Sequence, residues 1–350
     1  MTYRLGILGF GWMAFQHFKG ILPNIAGIEA TAVYDIDIER VEYAQEQGLK
    51  PYYDLEHFLA DDQIDVVLVA TPNDLHHDQT ILALEAGKHV ICEKPVALTA
   101  AELEEMMAVA QRCGKLLTVH HNRRWDKDFR TVKKAIDMGL VGSPYYIESR
   151  VQGSNGIPGD WRRVKSAGGG MLYDWGVHLI DQLLYMIDSP VTEVYAHLLN
   201  TKYSVDDNFK IMLRFENGIS ALVEVDTNCF QPLPRWHVSG ETGTMVVRNW
   251  ACEGSIIQGT IKEIDWSLMS SVKSLAGTTR TMSPRPQNTI RELALPEVSI
   301  DKTEYYNNVV AALDGKADLL VKPAECLRVL KVIDATFLSS EKGVCVQGEI

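Results

Sequence analysis

Residues 66–70 read Val-Val-Leu-Val-Ala, an apolar run with no polar alternation. A strand made from such a run is buried on both faces, as in a parallel sheet with helices above and below. The flanking sequence supplies those layers. Strands are expected at 5–8, Ile28–Tyr34, His89–Cys92 and 116–119, and helices at 12–22, 38–47 and 75–86. Thr99 is placed to cap a further helix, with Glu102 completing a capping box and Gly114 near its end. This alternation predicts a doubly wound parallel α/β sheet over residues 1–121.

Beyond residue 121 the rhythm changes. Helical patterns cover 126–138, stopped by Gly139, and 171–186. Strand-like segments follow at 194–200, 209–215, 219–226, 235–239 and 244–247, with Glu216-Asn217-Gly218 as a hairpin signal. Residues 249–300 show no readable period and include Ser283-Pro284-Arg285-Pro286, and helices are expected at 303–314 and 323–341. The expectation for 122–350 is an α+β domain with a large, mostly antiparallel open sheet. Two domains fit a chain of 350 residues at roughly 150 residues each.

Composition excludes several roles. Thirty-four Lys and Arg against 46 Asp and Glu leave a net charge of −12. That is not the footprint of a nucleic-acid binder or of a protein that sits on an anionic membrane. Arg123-Arg124 and Arg162-Arg163 are the local exceptions, readable as solvated faces or anion contacts. No apolar run is long enough to span a membrane and no signal peptide is seen. The six cysteines (Cys92, Cys113, Cys229, Cys252, Cys326 and Cys345) are scattered, which suggests neither a zinc site nor a disulfide framework and fits a cytoplasmic protein.

Four motifs fall where an open α/β sheet binds ligands. Gly9-Phe10-Gly11-Trp12-Met13-Ala14 joins an expected strand to an expected helix. Its glycines allow a tight turn and close approach of a pyrophosphate to the helix N-terminus. Asp35 follows the second strand, where a carboxylate bonds ribose hydroxyls and repels a 2′-phosphate. It could instead cap the next helix, but Asp37 competes for that role. Thr71-Pro72-Asn73, with His76 beyond, and Glu93-Lys94-Pro95 end two further strands on the same edge; ordinary turns and a solvated lysine are the plain alternatives. Asp174 and His178 stand four residues apart, one helical face, where a carboxylate can orient an imidazole for acid–base work. A purely structural pair would look the same, and no third metal ligand is evident.

In this order, and with Gly168-Gly169-Gly170 leading into the Asp174/His178 segment and Asp181 closing it, these motifs resemble the Gfo/Idh/MocA family, which includes glucose-fructose oxidoreductase and inositol dehydrogenase. The resemblance runs from Tyr3 to about Asp181 and more loosely beyond. It implies an N-terminal Rossmann domain, a C-terminal sheet domain that mediates a homo-oligomer (dimer or tetramer), and NAD as cofactor without a metal. It implies Lys94, Asp174 and His178 as catalytic groups. Gly9, Phe10, Gly11, Trp12, Met13, Asp35, Thr71, Pro72, Asn73, His76, Glu93 and Lys94 would hold the cofactor. Asn122, Trp161 and Arg162 would approach it, and Arg123, Trp125 and Trp161 would join Lys94, Asp174 and His178 around substrate. Apart from the resemblance, Asn155 is a further candidate to hydrogen-bond ring hydroxyls, with Arg123 and Arg162.

The expected activity is reversible oxidation of a ring secondary hydroxyl of a sugar, glycoside or cyclic polyol such as an inositol. Alternatives are a 3-keto-sugar or glycoside reductase or oxidase with tightly bound, recycled NAD, and a non-catalytic NAD sensor. Trp161, Trp175, Trp236, Trp250 and Trp266 lie beyond residue 150. An indole can pack on a sugar ring, and Trp161 is the foremost candidate, although core packing accounts for most tryptophans.

Overall fold

The structure, a computed structural model, describes residues 2–261, 263–281 and 283–350. The first region runs β1 (Tyr3–Leu8), α1 (Trp12–Phe15), β2 (Ile28–Tyr34), α2 (Ile38–Glu46), β3 (Lys50–Tyr52), α3 (Leu55–Ala60), β4 (Val66–Val69), α4 (His76–Glu85), β5 (His89–Cys92), α5 (Ala100–Cys113) and β6 (Leu117–Val119). All six strands pair in parallel, in the order β3-β2-β1-β4-β5-β6. The order reverses between β1 and β4, which opens a crevice at their carboxyl ends. Every residue of β4 is buried, as an unbroken apolar strand must be. The Thr99–Glu102 capping box starts α5, and Gly114 ends it in the left-handed conformation.

Two differences from the sequence reading have local causes. β3 and α3 are too short to show a period, and β3 contains Pro51 at the sheet edge. The expected helix at 12–22 is not one α-helix. After α1 the chain widens into a π-helical turn, Gln16–Ile21, then tightens into a 3₁₀ turn, Leu22–Asn24. The wide turn carries His17 into the interior, fully buried.

The second region contains α6 (Lys127–Asp137), β7 (Pro144–Gln152), α7 (Val177–Met186), β8 (Val191–Leu199), β9 (Asn208–Phe215), β10 (Ser220–Asp226), β11 (Trp236–Gly240), β12 (Gly243–Val247), β13 (Gly254–Gly259), β14 (Val272–Ser274), β15 (Gly277–Thr279), β16 (Ile290–Leu293), α8 (Glu304–Leu313), α9 (Pro323–Lys342) and β17 (Val346–Gln347). Nine of these strands form one sheet, β16-β13-β12-β11-β7-β10-β9-β8-β17, and β14 and β15 form a separate hairpin. Only the β7–β10 pair of that sheet is parallel. The turn between β9 and β10 needs positive φ at Gly218, +88°. Along β9, buried and exposed residues alternate, so one face of the sheet packs inward under α7 and α9 and the other is open.

The chain end returns to the first sheet. Asp334 of α9 accepts the Ala100 N–H at 3.0 Å, and Thr118 of β6 donates to the Val321 carbonyl at 3.0 Å. No helix of the described residues is long and apolar enough to cross a membrane.

Candidate active site

The glycine turn after β1 is shaped by what surrounds it. A Cβ on Gly9 would lie 2.7 Å from Thr71 Cγ2 and 2.9 Å from the Ala70 carbonyl, and its φ is +88°. A Cβ on Gly11 would meet nothing within 4 Å. Gly9 is therefore demanded by backbone packing, while Gly11 leaves open the space a pyrophosphate needs. The carboxylate of Asp35 accepts the Phe10 N–H at 2.6 Å and the Asp37 N–H at 2.9 Å. Asp37, not Asp35, caps α2. The Arg40 guanidinium lies 3.6 Å from Asp35 and 3.3 Å from Asp37.

The strand-end motifs divide by role. Lys94 donates to the Asp174 carbonyl at 3.0 Å and to its carboxylate at 3.1 Å. Glu93 and Asn73, in contrast, spend side-chain atoms on the protein itself. Both Glu93 carboxylate oxygens accept protein hydrogen bonds, and the buried Asn73 donates to the Gly168 carbonyl at 2.8 Å. His76 is buried with Nδ1 2.7 Å from the Pro95 carbonyl and Nε2 2.9 Å from that of Thr71. It clamps the two loops together, and burial pushes its proton affinity down despite the two carbonyls. Thr71 bonds Gln79 at 2.6 Å; Pro72 opens the 3₁₀ turn Asn73–Leu75.

Asp174 does not pair with His178. The chain is π-helical over Leu172–Gly176 and α-helical only from Val177. More residues per turn rotate Asp174 off the face that an α-helix would share with His178. Asp174 instead meets Lys94 and, at 3.4 Å, Arg162. Burial raises its proton affinity, but Lys94 and Arg162 outweigh that and hold it below the usual carboxylate range. His178 is buried and its Nδ1 has no protein partner. Desolvation, with Lys94 and Arg123 nearby, pushes its pKa well below the usual histidine value, so the ring is neutral.

Lys94, Asp174 and His178 line one cavity of about 650 Å³, together with Trp12, Met13, Asn122, Arg123, Trp125 and Arg162, within the ~300–1,000 Å³ typical of small-molecule sites. Arg123 lies 4.1 Å over the Trp175 ring and bonds Asp126 at 2.9 Å, and Trp125 donates to Glu304 at 2.7 Å. Its neighbour Arg124 turns inward to a buried bidentate pair with Asp181 at 2.8 and 2.6 Å. Asn155 and Trp161 are not among the lining residues. Asn155 is exposed, and Trp161 lies under the Arg162 guanidinium at 4.6 Å. Trp236 is a core residue bonded to Asp128 at 2.8 Å; the indoles that line the cavity are those of Trp12, Trp125 and Trp175.

The sequence reading missed Gln16, His120, Lys302 and Tyr305, which also line it. His120 had a signal: it follows β6 on the same edge as the other motifs. The others reach the cavity by tertiary packing alone.

This turn and cavity define an oxidoreductase of the nicotinamide-dinucleotide-binding class. A family model described as oxidoreductase family, NAD-binding Rossmann fold, matches residues 3–121, and one described as the GFO/IDH/MocA C-terminal domain matches residues 129–246. The chain belongs to the Gfo/Idh/MocA oxidoreductase family. It is 28% identical to scyllo-inositol 2-dehydrogenase (NADP(+)) IolW of Bacillus subtilis over 346 residues, 97% of this chain and 94% of that one. It is 31% identical to 1,5-anhydro-D-fructose reductase of Ensifer adhaerens over 260 residues, 70% of this chain and 76% of that one. The crystal structure of an NAD-binding protein from Listeria innocua matches with a TM-score of 0.95 and 42% identity over 99% of both chains.

Proposed function

We propose that this chain is an NAD-dependent dehydrogenase that oxidises a ring secondary hydroxyl of a cyclic polyol, sugar or glycoside to the ketone, reversibly. The observation that carries this reading is a lysine fixed on Asp174 sharing a cavity with a buried, neutral histidine whose Nδ1 is unpartnered. The open space at Gly11 fits a dinucleotide, and when bound its nicotinamide supplies the hydride acceptor. His178 takes the hydroxyl proton on its neutral ring. Lys94 donates a charge-assisted hydrogen bond to the reacting oxygen and stabilises charge there. Asp174 and Arg162 set where the Lys94 ammonium stands.

NAD is favoured by Asp35, whose carboxylate is held at the end of β2 where a 2′-phosphate would lie. Trp125 and Trp175 in the cavity wall suit the C–H face of a ring substrate. The exposed sheet face, with Tyr195 and Met212 standing out, suits a homo-oligomer, and six unpaired thiols suit the cytoplasm.

The test is reduction of NAD by a panel of inositols, pyranoses and glycosides, with an external keto-sugar acceptor added so that tightly held cofactor also turns over. Oxidation of a ring hydroxyl is expected. Activity confined to linear hydroxy acids or simple aldehydes overturns the substrate class.

A further inference from the structure

His120 closes β6 and lines the cavity, yet the chemistry above leaves it without a task. Behind it runs a buried chain of hydrogen bonds. The Tyr306 hydroxyl is 2.6 Å from His17 Nδ1, His17 Nε2 is 2.7 Å from Glu93 Oε1, and the same oxygen is 2.8 Å from His120 Nδ1. Glu93 Oε2 accepts the Lys94 N–H at 3.2 Å. Burial raises the proton affinity of Glu93, but the two imidazoles reverse this and hold it well below the usual carboxylate range.

An ionised carboxylate only accepts. Both histidines must therefore donate to it: His17 through Nε2, His120 through Nδ1. Tyr306 then donates to His17 Nδ1, and His17 is neutral, in line with the downward push of its own burial. This single arrangement satisfies every member of the chain. Of the two neutral tautomers of His120 it selects the one with the proton on Nδ1, whose bare Nε2 has, among the described residues, no hydrogen-bond partner. The ring cannot easily turn: it packs 4.4 Å from the His17 ring and 4.8 Å edge-on from Tyr305. The three side chains are also a potential metal-ligand group, but both nitrogens approach one and the same oxygen at hydrogen-bond spacing.

We propose that His120 Nε2 is a fixed hydrogen-bond acceptor for a donor bound in the cavity, a substrate O–H or the carboxamide N–H of the nicotinamide, and that Glu93 and His17 are positioning residues that hold it in that tautomer. The proposal rests on reading the cavity as a dehydrogenase site.

The test begins on the full-length protein without dinucleotide. NMR of protein labelled with heavy-nitrogen histidine, with His120→Phe to assign the signal, should show His120 protonated on Nδ1 and bare on Nε2 at neutral pH. Glu93→Gln should shift that signal toward the other tautomer. An Nε2–H form or an imidazolium in the wild type overturns the proposal, as does stoichiometric Zn²⁺ captured by His17 and His120. Binding then separates the two donors. Quenching of cavity tryptophan fluorescence gives Kd for NAD alone and for myo-inositol in the presence of NADH. His120→Phe should weaken one of them about tenfold, and His120→Gln, which keeps an acceptor, should recover part. A change in the NAD constant assigns the carboxamide, and a change in the polyol constant alone assigns the hydroxyl. If neither moves, the proposal fails. Because both readouts are of binding and protonation, absent turnover would count against the dehydrogenase reading and not against this one.

Discussion

The strand-end motifs and the segment that follows β6 treat their polar groups differently. Past the ends of β2, β4 and β5, the carboxylates and imidazoles of Asp35, His76 and Glu93 are bound up within the protein. Where the chain leaves β6 and along α7, buried polar atoms lack partners: Asn122 Oδ1, His121 Nδ1 and His178 Nδ1. Leaving such an atom buried and unpaired costs about 1–3 kcal/mol, so three close together are unlike ordinary scaffold. The first set is a frame that sets backbone turns. In the second, Asn122 and His178 line the cavity with hydrogen-bonding capacity that the protein itself does not use. Lys94 joins them, carried on the frame and bonded across to Asp174.

The largest test of this division removes the two groups to which the proposed chemistry is assigned. Lys94→Ala and His178→Ala should each lower kcat by ~10²–10⁴-fold, the usual share of an acid–base group. NAD binding should survive His178→Ala better than Lys94→Ala, because Lys94 sits on the cofactor side. Near-normal turnover in either variant removes that residue from the chemistry.

The buried histidines should also make the protein acid-sensitive. Burial, only partly offset by Asp181, pushes His121 down to about 4, and His178, His76 and His17 are pushed the same way. An unfolded histidine titrates near 6.5. Below that pH the unfolded chain takes up protons that the native state refuses, so stability is full above about 6.5 and is lost as pH falls toward 4. The His121 share is on the order of 3 kcal/mol. Urea midpoints should therefore drop between roughly pH 7 and pH 5, and His121→Gln should flatten the drop. A midpoint independent of pH over that range overturns the account.

Much of the frame was legible because backbone rules write it. Gly9 is fixed by its φ, β4 by its apolar run, and α5 by its capping box and Gly114. The second sheet was half-legible. Its central strand β7 escaped because its charges are matched within the sheet rather than exposed in alternation: Arg150 pairs with Glu224 on the neighbouring β10 at 2.9 Å and with Glu148 of its own strand at 2.6 Å. The site itself was legible as residues and not as pairings. Lys94, Asp174 and His178 do share one cavity, but the four-residue spacing of Asp174 and His178 assumed an α-helix, and a π-helical turn is not visible in a hydrophobic pattern. Trp161 ranked above Trp175 for the same reason: position along the chain does not tell which side of a turn an indole takes.

Asp174→Asn probes the pair that joins the two sets. It keeps the shape but removes the charge that Lys94 and Arg162 share. With Lys94 free to wander, kcat should fall by about 10–100-fold, as expected of a misplaced catalytic group, while His178, which does not touch Asp174, keeps its low proton affinity. The acid limb of kcat/KM should therefore stay where it is in the wild type. A limb that moves in Asp174→Asn would mean that Asp174 orients His178 after all, as the sequence spacing suggested.

The smallest effect expected is at Asp35, where the frame touches cofactor choice. Its carboxylate holds two backbone N–H groups, so part of its job is to shape the glycine turn. The remaining part is electrostatic: a 2′-phosphate would meet a negative group. Arg40, half-exposed and 3.6 Å away, works the other way and would welcome that phosphate. The balance should favour NAD, because Asp35 is buried and fixed by two hydrogen bonds while Arg40 is half-exposed to solvent and also leans on Asp37. Asp35→Ser keeps one acceptor for the turn and deletes the repulsion, so the ratio of kcat/KM for NAD over NADP should fall about tenfold. Arg40→Ala should raise it. A wild-type enzyme with the higher kcat/KM for NADP would show that Arg40, not Asp35, governs the end of β2.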